Sequence, residues 1–217
     1  MTLTRDQVED TALAILTRFG LADLSMRRLA RELDVQVGAL YWHVKSKQEL
    51  LVGVAARLLS GLDGPDGLAG PDDAGRPGPS APQDASPAGG RRAERRDHAA
   101  GRAGVAGLAT GIRSALVNVP DSAEVVQVAQ SLQPDALKPL NRLRSLLESA
   151  GVAHPAWAQH LVMNHVLGSI AAAQEAARLA AVDPTASATP LGEDAFQWGL
   201  QVILDGLFGT APVAARP

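Results

Sequence analysis

Four short helical segments crowd the first sixty positions, and the residues that open and close them constrain the fold more than any other feature of the chain. Thr4 and Gln7 have the spacing of a capping box, in which each side chain satisfies the other's free backbone donor. Val8, Ala12, Ile15 and Phe19 then recur at steps of three or four and make one apolar face. Gly20 stands where a left-handed residue stops a helix. Ser25 caps a second helix that reaches about Leu33, with Met26, Leu29, Ala30 and Leu33 turned inward. Asp34-Val35 makes a tight turn, and a short third helix covers about Gln36 to His43. Ser46 and Glu49 repeat the capping-box spacing and open a fourth helix, whose buried side carries Leu50, Leu51, Val54 and Leu58.

Two short helices joined by a tight turn, with a further helix bracing them, is the plan of a helix-turn-helix. In that plan the second helix of the pair enters the major groove of duplex DNA and its N-terminal residues meet base edges. Here that helix is Gln36-Val-Gly-Ala-Leu-Tyr-Trp-His43. Small residues at Gly38 and Ala39 let its backbone approach a duplex closely, while Leu40 faces inward as an anchor. Charge adds little. Residues 1–60 hold eight Lys/Arg and seven Asp/Glu, a balance of +1, in a chain whose net charge is −3.

The ordered stretch Ser25-Met-Arg-Arg-Leu-Ala-Arg-Glu-Leu-Asp-Val-Gln-Val-Gly-Ala-Leu-Tyr-Trp-His-Val-Lys-Ser-Lys47 resembles the DNA-binding core of the TetR family, over residues 4 to about 58. Most members carry Phe after the His; Val44 here is similar to the tetracycline repressors within the family. The resemblance implies roles by position. Ser25 caps the second helix, and Arg27 matches a residue that reads guanine through its O6 and N7. Gln36, Val37, Gly38 and Ala39 fall on base-reading positions of the recognition helix. Tyr41, Trp42, His43 and Lys47 match residues that hold sugar-phosphate, contacts that position a protein without specifying sequence. Where the tetracycline repressors present Gln-Pro-Thr, this chain presents Val37-Gly38-Ala39, so a different operator sequence is expected.

Beyond residue 60 the composition shifts. Residues 61–90 contain eight Gly and six Pro, with Leu62 and Leu68 as the only large apolar residues, which predicts a flexible insert. An Arg-rich run from 91 leads into a helix expected to reach Val119 and stop at Pro120; helices follow near 122–131 and 134–150. Two long helices close the chain, from Pro155 to about Ala181 and from Glu193 to Phe208. The fold class is therefore all-α. The expected domains are a helix-turn-helix head over 1–48, a connecting helix over 49–60, the insert over 61–90, and a C-terminal domain over 91–217. By the same resemblance that domain would hold a small-molecule chamber, and its last two helices would pair with a second copy's in a four-helix bundle.

The chamber is expected among Leu116, Leu143, Leu147, Trp157, His160, Leu161 and Asn164, where a few polar groups in an apolar wall would suit a small organic ligand. With no cysteine the chain offers no disulfide or thiolate, and its histidines lack the i, i+4 pairing that shares a metal on one helix. No metal or cofactor is expected, and no nucleophile elbow or phosphate loop points to an enzyme. The N-terminal residues read as neither a signal nor a transit peptide, and no run of about 18 apolar residues appears, so a cytoplasmic protein without a membrane span is expected. The function expected is that of a dimeric repressor on a palindromic double-stranded operator, released by a small ligand. A regulator or activator that needs no inducer is the alternative.

Overall fold

In the computed structural model, residues 3–62, 87–183 and 192–209 are described, over 87–95 for the backbone alone. Within them the chain is all-helical: α1 (Arg5–Phe19), α2 (Met26–Glu32), α3 (Val37–Leu40), α4 (Lys47–Leu58), α5 (Pro87–Leu116), α6 (Ser122–Leu132), α7 (Lys138–Ser149), α8 (Pro155–Val182) and α9 (Glu193–Phe208), with 3-10 turns at Ser60–Leu62 and Pro134–Ala136. None of these helices is long and apolar enough to cross a membrane. Most of the predicted insert lies outside the described residues, and its two ends are helical. Leu62 is buried at the end of α4's trailing turn, residues 87–90 already belong to α5, and 63–86 lie outside the described residues.

Local chemistry sets the head's helix ends. The Thr4–Gln7 capping box forms reciprocally, with Thr4 Oγ1 accepting from the Gln7 N–H and Gln7 Oε1 accepting from the Thr4 N–H. Gly20 ends α1 at φ +78°. The second capping box is only half made. Ser46 Oγ accepts from the Glu49 N–H, but Glu49 Oε2 takes the Lys45 N–H at 2.8 Å and Oε1 receives Arg5 at 2.9 Å. Those contacts hold the Glu49 carboxyl below its ordinary range, the Lys45 N–H first and Arg5 after it.

α1 and α4 are joined by a polar clasp. Arg57 reaches Glu9 (2.9 Å), Asp10 (2.6 Å) and Asp6 (2.6 Å), and Arg5 reaches the other oxygen of Glu9 at 2.7 Å. Gly53 makes room for it: a Cβ there would lie 2.3 Å from Glu9 Oε1. Around the clasp the packing is tighter than a one-sided stripe. Every residue from Leu50 to Ala55 is buried, as is Leu59, whereas Leu58 is only half-buried, like Met26 and Leu33 of the expected core. Phe19 faces outward instead, beneath the guanidinium of Arg28 at 3.9 Å.

The body is built from α5 to α9. α4 leaves the head and packs along α6, so head and body share one continuous aliphatic core. Aromatics contribute little to it; Phe196 is fully buried, while most of the large buried residues are leucines. α5 stops at Leu116, short of the expected Val119. Tighter turns take over there, the Val119 N–H reaching the Leu116 carbonyl at 2.9 Å and the Ser122 N–H the Val119 carbonyl at 3.2 Å, and Ser122 Oγ and Gln174 Nε2 add a second bond to each carbonyl at 2.7 Å. α9 runs over the expected span, Glu193 to Phe208.

Candidate nucleic-acid interface

The turn between α2 and α3 is a Schellman motif. The Val35 N–H reaches the Ala30 carbonyl at 3.0 Å, the Asp34 N–H reaches Arg31 at 3.3 Å, and Asp34 takes the left-handed conformation at φ +51° that Asp tolerates better than most residues. This turn aims α3 away from the core, with one residue, Leu40, fully buried as its anchor. Burial of a leucine contributes about 1.5–3 kcal/mol, enough to hold a four-residue helix that could not persist alone. The helix is shorter than the sequence implied, because Tyr41, Trp42 and His43 form a turn. The His43 and Val44 N–H groups both bond back to the Leu40 carbonyl at 2.9 Å, and Val44 is buried behind them.

All ten residues singled out from the sequence lie along this one element pair and its flanks. Ser25 caps α2 by accepting from the Arg28 N–H at 3.2 Å. Gln36 is the N-cap of α3 but makes no side-chain cap bond, so its amide is uncommitted. Val37 and Ala39 are partly covered; Arg27, Gln36 and Gly38 are exposed; His43 and Lys47 are partly exposed. A Cβ on Gly38 would meet nothing within 4 Å, so no intramolecular packing requires glycine there. Trp42 is 90% exposed and Tyr41 stands beside it, also exposed.

Ion pairing explains why net charge is a poor guide to this face. Six of the seven head carboxylates are engaged within the protein, by Arg5, Arg57 and Arg28. Arg28 is spent on Asp23 and Glu32. Its neighbour Arg27 has no carboxylate partner among the described residues, nor have Arg18, Arg31 and Lys47. A head with a formal balance of +1 thus presents free cations next to an uncovered indole, which is the chemistry that meets a polyanion.

The seven residues expected to line a ligand chamber are not brought together. Leu116, Leu143 and Leu147 are fully buried in the core, whereas Trp157 and Leu161 point outward, Trp157 stacked on His154 with ring centroids 4.5 Å apart. His160 and Asn164 alone share a cavity, a surface cleft of about 290 Å³ between α6, α7 and α8. Gln127, Gln130, Arg144 and Gln159 also line it, with Arg144 Nε donating to Gln159 Oε1 at 2.8 Å. These four escape a linear reading because three separate helices supply them. Among the described residues no group of three or more His, Asp or Glu is placed to hold a metal ion.

Residues 10–54, from within α1 to Val54 of α4, match the family described as bacterial regulatory proteins, tetR family. The crystal structure of BioQ from Mycobacterium smegmatis is 31% identical, with a TM-score of 0.68, over 96% of this chain and 99% of that one. The chain belongs to the tetR family. Its helix-turn-helix head is accordingly the family's DNA-binding domain. A BioQ structure with its double-stranded DNA operator is 28% identical at a TM-score of 0.64, over 95% and 99% of the two chains. ActR from Streptomyces coelicolor, in complex with (S)-DNPA, is 27% identical at a TM-score of 0.65, over 97% and 100%. The class C tetracycline repressor of Escherichia coli is 47% identical over 58 residues, 27% of this chain and 26% of the repressor. Alignment to such curated tetR relatives thus spans about a quarter of their length, the head alone.

Proposed function

We propose that the chain is a tetR-type transcriptional repressor that binds a palindromic operator as a homodimer and is released by a small organic ligand. The observation that carries the reading is the recognition face: Arg27, Tyr41, Trp42 and Lys47 stand free of internal partners beside an α3 anchored by Leu40. Arg27 would read guanine, Gln36, Val37, Gly38 and Ala39 would face base edges, and Tyr41, Trp42, His43 and Lys47 would hold the phosphate backbone, with Ser25 fixing the start of α2. The likeness to BioQ, solved with its operator, supports the docking. A cytoplasmic location follows from the role.

Pairing of two copies is supported by the outer faces of α8 and α9. Trp157, Leu161, Asn164, Gly168 and Ala171 recur at alternating steps of four and three along α8, all exposed, and α9 adds Trp198 and Val202. A Cβ at Gly168 or Gly206 would meet nothing, which suits close approach by another helix. Two heads on one duplex must reach half-sites about 34–36 Å apart, and two-fold pairing supplies that spacing.

The α6–α7–α8 cleft is the site we assign to the ligand, in keeping with the likeness to ActR, which was solved with a small molecule. Its polar wall favours a ligand with hydrogen-bonding groups over a purely apolar one. The second reading, a regulator without an inducer, draws on the solid interior around Leu116, Leu143 and Leu147. Duplexes selected from a random pool by the whole chain test the central claim. Arg27→Ala with Lys47→Ala is expected to lower affinity for them by about 10- to 100-fold and to flatten the salt dependence. Unchanged affinity and salt slope would remove this face from the interface.

A further inference from the structure

Two contacts between head and body bear on the angle of the head. One is α4, which runs out of the head and packs along α6. The other is the turn between α5 and α6, where Asp121 Oδ2 accepts the Leu21 N–H from the turn after α1 at 2.7 Å, across 100 residues of sequence. The other carboxylate oxygen, Oδ1, accepts from Arg178 of α8. The approach is close: a Cβ on Gly20 would lie 2.8 Å from Asp121 Oδ2, so glycine is required there on two grounds, this contact and its own φ of +78°. Asp121 itself adopts a left-handed backbone at φ +58°, held by its surroundings. Gln174 Nε2 donates to the Val119 carbonyl at 2.7 Å and lies 3.2 Å from Ser122 Oγ, so α8 fixes the residues on both sides of Asp121.

A head joined to a body by a single helix can pivot about that helix. An attachment away from its axis restricts that freedom. We propose that Asp121 is a positioning residue for DNA binding, its carboxylate clasping the α1–α2 turn to α8 and so setting the angle at which the recognition face is presented. The proposal rests on the reading of the head as the DNA-binding surface. It also ties that angle to α8, whose Leu167 lines the cleft seven residues, about two turns, before Gln174. An occupant that displaces α8 would act on Asp121 through Gln174 and Arg178.

Spin-label distances test this. The chain has no cysteine, so Arg31→Cys on the head and Ser145→Cys on α7, both exposed positions, can be labelled selectively, with labelled chains diluted in unlabelled ones. Asp121→Gly removes the carboxylate while easing the left-handed backbone; Asp121→Asn keeps an acceptor for Leu21 and tolerates the same conformation. The expected result is a narrow distribution for the parent, one at least twofold broader for Asp121→Gly, and an intermediate width for Asp121→Asn, which keeps the acceptor for Leu21 and loses the charge that pairs with Arg178. An Asp121→Gly distribution as narrow as the parent's overturns the proposal, whether or not the chain binds DNA. Should Asp121→Gly not fold, Arg178→Ala with the same labels decides: broadening upholds the clasp and an unchanged width overturns it. In parallel, Asp121→Gly is expected to bind the duplexes selected by the parent at least fivefold more weakly, and unchanged binding overturns the positioning role. A parent that selects no duplex refutes the DNA-binding reading and leaves the distance result to judge the clasp.

Discussion

All three tryptophans of the chain are exposed, yet those of the head and the body stand in different company. Trp42 is 90% exposed on a face with Tyr41 and the uncommitted cations Arg27 and Lys47. Trp198 and Trp157, each 72% exposed, lie on α9 and α8 beside Val202, Leu161, Gly168 and Gly206. Exposure alone therefore does not distinguish them. Their neighbours do: charge and hydrogen-bond donors in the head suit the proposed contact with a phosphate backbone, while small and apolar residues in the body suit the proposed pairing with a second copy.

That contrast can be broken most decisively in the body. Trp198→Asp with Val202→Asp places two carboxylates on the proposed pairing face and is expected to convert the protein to single chains in sedimentation. Operator affinity should then fall by about a hundredfold or more, because engaging two half-sites together raises avidity by about 10²–10⁴. Unchanged mass would mean that the outer faces of α8 and α9 serve something else. In the head, Trp42→Ala should leave the melting temperature nearly unmoved, since exposed substitutions shift stability by about 0.5 kcal/mol or less. Operator binding should weaken by about 10- to 100-fold, the scale of one hydrogen bond to a charged group at about 1.5–3 kcal/mol. A loss of stability in step with the loss of binding would return Trp42 to a packing role. The smallest effect is expected at Gly38→Ala. With open space around the added Cβ, the helix should gain about 0.5–1 kcal/mol, while binding weakens severalfold if α3 lies against a duplex. Binding that improves along with stability would separate Gly38 from the DNA.

The head was largely legible because its chemistry is local. Thr4, Gly20, Ser25 and Asp34 act on backbone groups within a few residues of themselves, and they end or begin helices where the pattern predicts. Glu49 shows the limit of such reasoning. Its spacing from Ser46 is right for a reciprocal box, but Arg5, 44 positions away, and the Lys45 N–H compete for its carboxylate and win. The body was legible in outline only. The spans of α6, α8 and α9 follow from proline, glycine and periodicity, while the helix expected over 134–150 divides into the 3-10 turn Pro134–Ala136 and α7. The residues expected to line one chamber do not meet, because which face of an aliphatic helix turns inward depends on neighbours that the helix does not encode. His160 and Asn164 reach a cleft; Leu116, Leu143 and Leu147, chosen for the same pocket, fill the core.

By itself the sequence determined an all-helical chain, the punctuation of its head, and the residues that α2 and α3 carry outward. The tertiary structure decided which of those residues are free to act. Arg57 takes up Asp6, Glu9 and Asp10, 47 to 51 positions away, while Arg27 stays open. It also brought Asp121 to Leu21 and Arg178, which no local pattern announces. The physical reason is range. Caps and turns are settled by hydrogen bonds a few residues long, whereas ion pairing, burial and the hold of body on head are settled by groups 50 to 100 positions apart that meet only once the chain has folded.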